Sequence, residues 1–172
     1  MIKPNDADYY MSYHAIAEVY KLMGNKDKCV EALDSMSLIL KMQLDPLKAY
    51  SYYTTSAMCY SMFKEYDKAL AYYKEVDSLL ATKYPETDGN RIRLLPLIGG
   101  MEHKLGHYDE SERLYTLYAE RIKGLYGENN IEYINAFNYQ ANAVAFAGHL
   151  DEACRDYIQS VAILKAELKN KL

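Results

Sequence analysis

Asn135, Asn138 and Asn142 recur at spacings of three and four residues, with Tyr139 and Phe146 interleaved among them. At about 100° per residue, all five fall within an arc of about 100° on one helix face, opposite a stripe of Phe137, Ala141 and Val144. Asn is a poor helix former because its amide competes for backbone hydrogen bonds, so three on one face imply a compensating use. The side-chain amide offers a donor and an acceptor, the same pair that a peptide unit presents. Such a ladder suits the main chain of an extended polypeptide, with Tyr139 and Phe146 supplying side-chain pockets. The competing reading is a solvated polar face, or amides that satisfy groups of their own helix. Each amide bond contributes only ~0.5–1.5 kcal/mol net, so affinity must come from a whole surface.

The other reactive side chains are sparse. Arg93, His103 and Lys104 form a basic stretch suited to an acidic side chain, set against simple solvated charge. The four His residues are dispersed; His103 and His107 are four apart, but Gly106 ends the helix between them and no paired acid completes a zinc motif. No phosphate-binding glycine loop, nucleophile elbow or pair of catalytic carboxylates is present, so the reading is non-enzymatic, with no metal and no cofactor implied. A net charge of -4 with Lys and Arg scattered among acids argues against nucleic acid. No apolar run reaches the ~18–20 residues needed for a membrane span, and Met1-Ile2-Lys3-Pro4 is no signal peptide. Cys29, Cys59 and Cys154 each lie beside apolar helix positions and read as small buried thiols. Those features favour a cytoplasmic setting for this segment.

The elements that must position these residues are helices. Nineteen Tyr, no Trp and few β-branched residues make an apolar set of Tyr, Leu, Ala and Met without strand-like alternation. Tyr60–Tyr73 reads as a helix end, a turn at Lys64-Glu65 and a second helix, with Ala69 at the contact between the two. The pattern returns at Leu105–Ser111 and Ala147–Ala153, placing Tyr66, Tyr108 and Leu150 42 residues apart, with a weaker copy at Met23–Cys29. Eight helices follow: seven at about 6–23, 27–42, 47–63, 66–80, 109–125, 131–147 and 151–168, and one that contains Pro96 and Gly99-Gly100, after an irregular segment at 82–90. Asn5 or Asp6 caps the first, and Asp45-Pro46 closes the first hairpin. The inner stripes are Tyr13, Ile16, Ala17 and Tyr20, then Val30, Leu33, Met36 and Leu40. In the second hairpin Tyr53, Ser56, Ala57 and Tyr60 face Ala69, Tyr73 and Val76. In the fourth, Phe137, Ala141 and Val144 face Ala153, Tyr157 and Val161. The third is least regular: Pro96 either starts a short helix or kinks a longer one, and Gly99-Gly100 is either a small-residue contact or a flexible point.

The small residue in the first helix, the aromatic a turn later, the hinge and the aromatic after it resemble the tetratricopeptide repeat. Ala57, Tyr60, Tyr66, Ala69 and Tyr73 carry the resemblance in the second hairpin, Gly106, Tyr108 and Tyr115 in the third, and Ala141, Gly148, Ala153 and Tyr157 in the fourth. The usual period is about 34 residues; the 42-residue period here, with Leu125-Tyr126-Gly127-Glu128-Asn129 leading into the next repeat, is similar to the variant of kinesin light chains and bacterial peptide-sensing regulators. Ser111 stands where Ala is usual and Glu102 where an aromatic is usual.

The resemblance implies an all-α, α-α superhelix (solenoid) of four hairpins, about 5–44, 47–84, 89–126 and 130–168, in one continuous domain over residues 1–172. It implies a concave groove lined by the first helix of each hairpin. The groove candidates are then His14, Glu18 and Lys21 in the first repeat, Thr54, Met58 and Met62 in the second, Arg93, Leu97, His103 and Lys104 in the third, and Asn135, Asn138, Tyr139, Asn142 and Phe146 in the fourth. The asparagine ladder resembles one that long-period relatives use to hold an extended peptide. The expected function is a non-catalytic protein- or peptide-binding scaffold, the interaction or sensory segment of a larger bacterial signalling protein. The alternative is a self-associating structural module, a homo-oligomer through its terminal helices, because no polar cap closes either end of the array.

Overall fold

The computed structural model describes residues 7–43 and 46–170. Among them run eight helices: α1 (Ala7–Leu22), α2 (Lys26–Gln43), α3 (Pro46–Met62), α4 (Tyr66–Ala81), α5 (Gly89–Lys104), α6 (Tyr108–Tyr126), α7 (Ile131–Phe146) and α8 (Leu150–Asn170). No strand occurs among the described residues. The caps expected at Asn5 or Asp6, and the turn expected at Asp45, lie outside them.

One local event, repeated four times, makes the hairpins. Gly24, Lys64, Gly106 and Gly148 have positive φ, at 69°, 62°, 83° and 97°. At each, that residue's N–H donates to the carbonyl three residues back and the next residue's N–H to the carbonyl five back, as in Gly106 to His103 and His107 to Glu102. This pattern satisfies the last carbonyls of the outgoing helix. The carbonyls of Asn25, Glu65, His107 and His149 then accept from the amides of Cys29, Ala69, Ser111 and Ala153, opening the next helix. One helix ends and the next begins across so short a turn that the pair must run antiparallel. Lys64 stands where the other three hinges have glycine, in a conformation that favours a residue without Cβ.

Close approach is then fixed by small residues at constant distance from each hinge. Ala17, Ala57, Gly99 and Ala141 lie seven residues before the left-handed position, and Cys29, Ala69, Ser111 and Ala153 five after it; all eight are buried. The Cys29 thiol reaches the Ala17 carbonyl at 3.5 Å. A Cβ on Gly99 would meet Leu114 Cβ and the Tyr115 ring at 3.4 Å, and one on Gly100 would meet the Tyr115 hydroxyl at 3.3 Å. Gly99 is therefore a small-residue contact. Pro96 starts no shortened helix; α5 runs through it.

The helices form two compact units, Met1–Lys83 and Tyr84–Leu172. In the first, Tyr10, Ala17, Cys29, Leu33, Met36, Ile39, Tyr52 and Cys59 make the core. In the second, Ile92 of α5 and Ala119 and Ile122 of α6 pack with Tyr133, Ala136 and Phe137 of α7.

Four expectations are corrected. Ile16 is 40% exposed, because Tyr10, Tyr13, Ala17 and Tyr20 form the inner stripe and Ile16 falls at its edge. On α2 the stripe centres on Cys29, Leu33 and Met36 with Ile39, leaving Val30 and Leu40 half-buried. Cys154 is exposed, one residue and about 100° round the helix from buried Ala153. Tyr157 and Val161 are 37% and 50% exposed, because only one side of α8 meets α7. The buried Cys29 and Cys59 thiols are pushed up in pKa, mainly by burial, and stay protonated.

Ser111 carries a hydroxyl into the hinge contact, where its Oγ has no hydrogen-bond partner among the described residues. Since an unsatisfied buried polar group costs roughly 1–3 kcal/mol, Ser111→Ala is expected to raise the unfolding free energy by about 1 kcal/mol in urea titrations. Gly99→Leu, which must overpack the same contact, is expected to lower it by about 1–3 kcal/mol.

Candidate functional site

The asparagine face is set by how α7 is buried. Asn130 caps the helix, its side-chain oxygen accepting from the Glu132 amide at 2.8 Å. Ile134, Ala136, Phe137, Ala141 and Val144 then turn into the second unit. This leaves Asn135, Tyr139, Asn142 and Phe146 exposed and Asn138 half-buried.

The three amides differ in what they do within the fold. Asn142 Nδ2 donates to the Asn138 carbonyl at 3.0 Å, and Asn142 Oδ1 accepts from the Tyr157 hydroxyl at 2.6 Å. The expectation that amides satisfy groups of their own helix therefore holds for one N–H of Asn142. Its second N–H and the remaining lone pair of Oδ1 are unused by these bonds, and the two bonds fix how the amide is aimed. The side-chain amides of Asn135 and Asn138 make no hydrogen bond among the described residues. Tyr157 holds its hydroxyl proton, since burial raises its pKa.

Tyr139 and Phe146 were expected as walls of side-chain pockets, and each already packs on neighbouring rings. Tyr139 stacks on Tyr115 of α6 at 5.7 Å with planes 16° apart. Phe146 meets the His103 edge at 4.4 Å and stacks on Tyr108 at 6.2 Å. They are still 51% and 58% exposed, so half of each ring faces outward from a braced position. Tyr108, Tyr115 and Tyr157 were not among the site residues read from sequence. The 42-residue register was the available signal: Tyr157 is one period after Tyr115, whose hydroxyl lies beside Gly100, the counterpart of Asn142.

Of the basic stretch, Arg93 and Lys104 are exposed and His103 is half-buried. Arg93 and Leu97 occupy on α5 the positions that Asn135 and Tyr139 occupy on α7. Arg93 acts on the Tyr118 phenol, whose pKa is nevertheless raised, chiefly by burial. His103 is depressed below the ordinary imidazole value, first by burial and then by the Lys104 charge, so it adds no charge at neutral pH.

The remaining candidates belong to the first unit. On α3, Met58 and Met62 are exposed, while the Thr54 hydroxyl donates to the Tyr50 carbonyl of its own helix at 2.8 Å. On α1, Lys21 is buried and paired with Glu18 at 2.5 Å, so these two charges satisfy each other. Glu102, in the aromatic position of the repeat, is buried, and its Oε2 lies 2.7 Å from His107 Nδ1. That hinge contact replaces an aromatic packing contact with a polar one. No group of three or more metal-ligating side chains occurs among the described residues. No helix among them is long and apolar enough to cross a membrane.

Solved structures match this architecture along nearly the whole chain. The kinesin-light-chain TPR-like repeats of Podosopora anserina are 17% identical, with 96% of this chain and 78% of that one covered and a TM-score of 0.74. A signal transduction ATPase (STAND protein) with a tetratricopeptide-repeat sensor from Pyrococcus horikoshii is 14% identical over 94% of this chain and 25% of its own, with a TM-score of 0.77. BtubC (BKLC) from P. vanneervenii is 17% identical over 87% and 60%, with a TM-score of 0.72. No protein-family model and no curated protein matches the sequence. The fold is thus a tetratricopeptide-like array of helical hairpins.

The depressed His103 makes a pH prediction. Its charged form is disfavoured in the folded state, so its contribution is fully present above the unfolded value near 6.5 and declines as pH falls through the lower folded value. The His103 ring should titrate below 6.5 by NMR. Acidifying from pH 7.5 to 5 should destabilise the wild type more than His103→Gln in parallel urea titrations.

Proposed function

We propose that this chain is a non-catalytic protein-interaction scaffold, and that the Asn135–Phe146 face of α7 holds the main chain of an extended peptide. One observation supports this reading above the rest: two unpartnered amides, Asn135 and Asn138, stand beside a third, Asn142, whose orientation is fixed by Tyr157. An amide held in advance loses less freedom on binding, and each can serve a peptide C=O or N–H. The outward halves of Tyr139 and Phe146 give flanking apolar contact, with Arg93 and Lys104 available to acidic side chains of the same ligand; on the first unit, Thr54 and Met58 of α3 are separate candidates for partner contact. The name of the Pyrococcus horikoshii protein describes its repeats as a sensor; a like role for this chain is the sensory segment of a larger, bacterial signalling protein acting in the cytoplasm.

A second reading is favoured by α8. Ile158, Val161, Leu164 and Leu168 form an exposed apolar stripe there. Val161 and Leu164 lie one period after Ala119 and Ile122, the α6 residues that α7 covers with Tyr133, Ala136 and Phe137. On α1, Tyr9, Ser12 and Tyr13 stand in the register of those three α7 residues. A second copy of the chain could therefore lay α1 on α8, giving head-to-tail self-association.

One experiment separates the two. Wild type and Asn138→Ala/Asn142→Ala are compared for partner capture from lysate and for size by light scattering. The peptide reading expects capture to fall about tenfold or more, at ~0.5–1.5 kcal/mol per lost amide bond, with size unchanged. Unchanged capture with a concentration-dependent size, abolished by Val161→Glu, would instead support self-association.

A further inference from the structure

The first unit holds a second place suited to a ligand. A cleft of about 580 Å³ is lined by Ser37 of α2, Tyr52, Tyr53 and Tyr60 of α3, and Lys68, Ala71, Tyr72 and Glu75 of α4. Lys68, Ala71, Tyr72 and Glu75 follow the spacing of one helix face. Small residues at Ala71 and Ser37 leave the space between the walls open, and the volume is within the range of roughly 300–1,000 Å³ usual for ligand sites.

The floor is aromatic. Tyr52 and Tyr53 lie 5.2 Å apart, Tyr52 meets Tyr72 edge-on at 6.0 Å, and Tyr60 stacks on Tyr72 at 5.5 Å. The Tyr52 and Tyr72 hydroxyls are 3.4 Å apart. Tyr53, Tyr60 and Tyr72 all have raised pKa values, each chiefly through burial, so the floor is neutral, with π faces that attract cations.

The charges around it are unequal. The Lys68 ammonium lies over the Tyr60 ring at 5.0 Å and is paired with Glu65 at 2.6 Å. Glu65 is shared with Lys26, so this triad keeps one positive charge beside the cleft. Glu75, which acts on the Tyr53 phenol, and Asp34, which acts on Tyr60 and Tyr72, form no ion pair among the described residues. The cleft therefore combines π faces with the Glu75 carboxylate in its wall, and the Asp34 charge, acting from outside the lining, leaves the surroundings negative by one after the triad is counted.

We infer that this cleft takes a cationic side chain from a protein partner, an arginine above all, its guanidinium lying against Tyr53 and Tyr72 and its N–H groups paired with Glu75. Arginine fits better than lysine because its planar group both stacks on a ring and presents two N–H donors to one carboxylate. This site is on the first unit and does not depend on the α7 face.

The test is tyrosine-ring NMR of the full chain titrated with N-acetyl-arginine amide, its neutral isostere N-acetyl-citrulline amide, and N-acetyl-glutamate amide. The expected result is saturable shifts at Tyr53 and Tyr72 with the arginine probe, and binding of citrulline weaker by about tenfold. Glu75→Gln, a change at an exposed position, should weaken the arginine probe by about threefold to tenfold, with the unfolding midpoint unchanged. Equal response to arginine and citrulline, saturation by the glutamate probe in preference, or indifference to Glu75→Gln would each overturn the assignment.

Discussion

Everything in this chain depends on two backbones coming close beside a hinge. The residues seven before and five after each left-handed position are Ala and Cys, Ala and Ala, Gly and Ser, and Ala and Ala, all of them buried. A larger side chain at any of these places would push the helices apart and remove dispersion contact along the hairpin. The hinge hydrogen bonds specify where the chain reverses; the small residues specify how near the returning helix lies. Side chains outside this small-residue contact are then free to vary, which is how Glu102 can occupy an aromatic position by bonding His107.

That separation of tasks exposes the face of α7. Because Phe137, Ala141 and Val144 secure the helix from one side, its other side can carry three asparagines despite their poor helix propensity. Tyr157 links the two tasks. It comes from the second helix of the same hairpin, and its hydroxyl reaches the Asn142 amide. Tyr115 acts similarly one repeat earlier, stacking on Tyr139. The rings that brace the hairpins thus also orient the exposed groups of α7.

Much of this was legible in the sequence, for a physical reason. A hinge requires a residue tolerant of positive φ and a small residue at fixed spacing, and both are properties of residue type alone. The limits of seven helices therefore agree with the structure to within about two residues, whereas the fifth was placed only by Pro96 and Gly99-Gly100, and the choice between contact and flexible point at Gly99 needed its neighbours Leu114 and Tyr115. What depends on neighbours in space was not legible. Cys154 and Ile16 have the same apolar character as buried residues beside them, and only helix rotation against the core separates them. Tyr157 was read as a core residue of the hairpin, and nothing local to it shows that its hydroxyl serves Asn142. The mutual pairing of Glu18 with Lys21 likewise removes two candidates that spacing alone leaves open.

The role proposed for α7 is to hold a peptide's main chain rather than to read its side chains. It is tested most directly by calorimetry with one captured peptide, its single alanine variants and its single backbone N-methyl variants. Main-chain reading predicts that most alanine changes alter affinity by about twofold or less, whereas N-methylation at amides facing α7 weakens binding up to about tenfold, the equivalent of one hydrogen bond. Large losses on alanine substitution with tolerance of N-methylation would contradict it, and would make the asparagine face incidental to recognition.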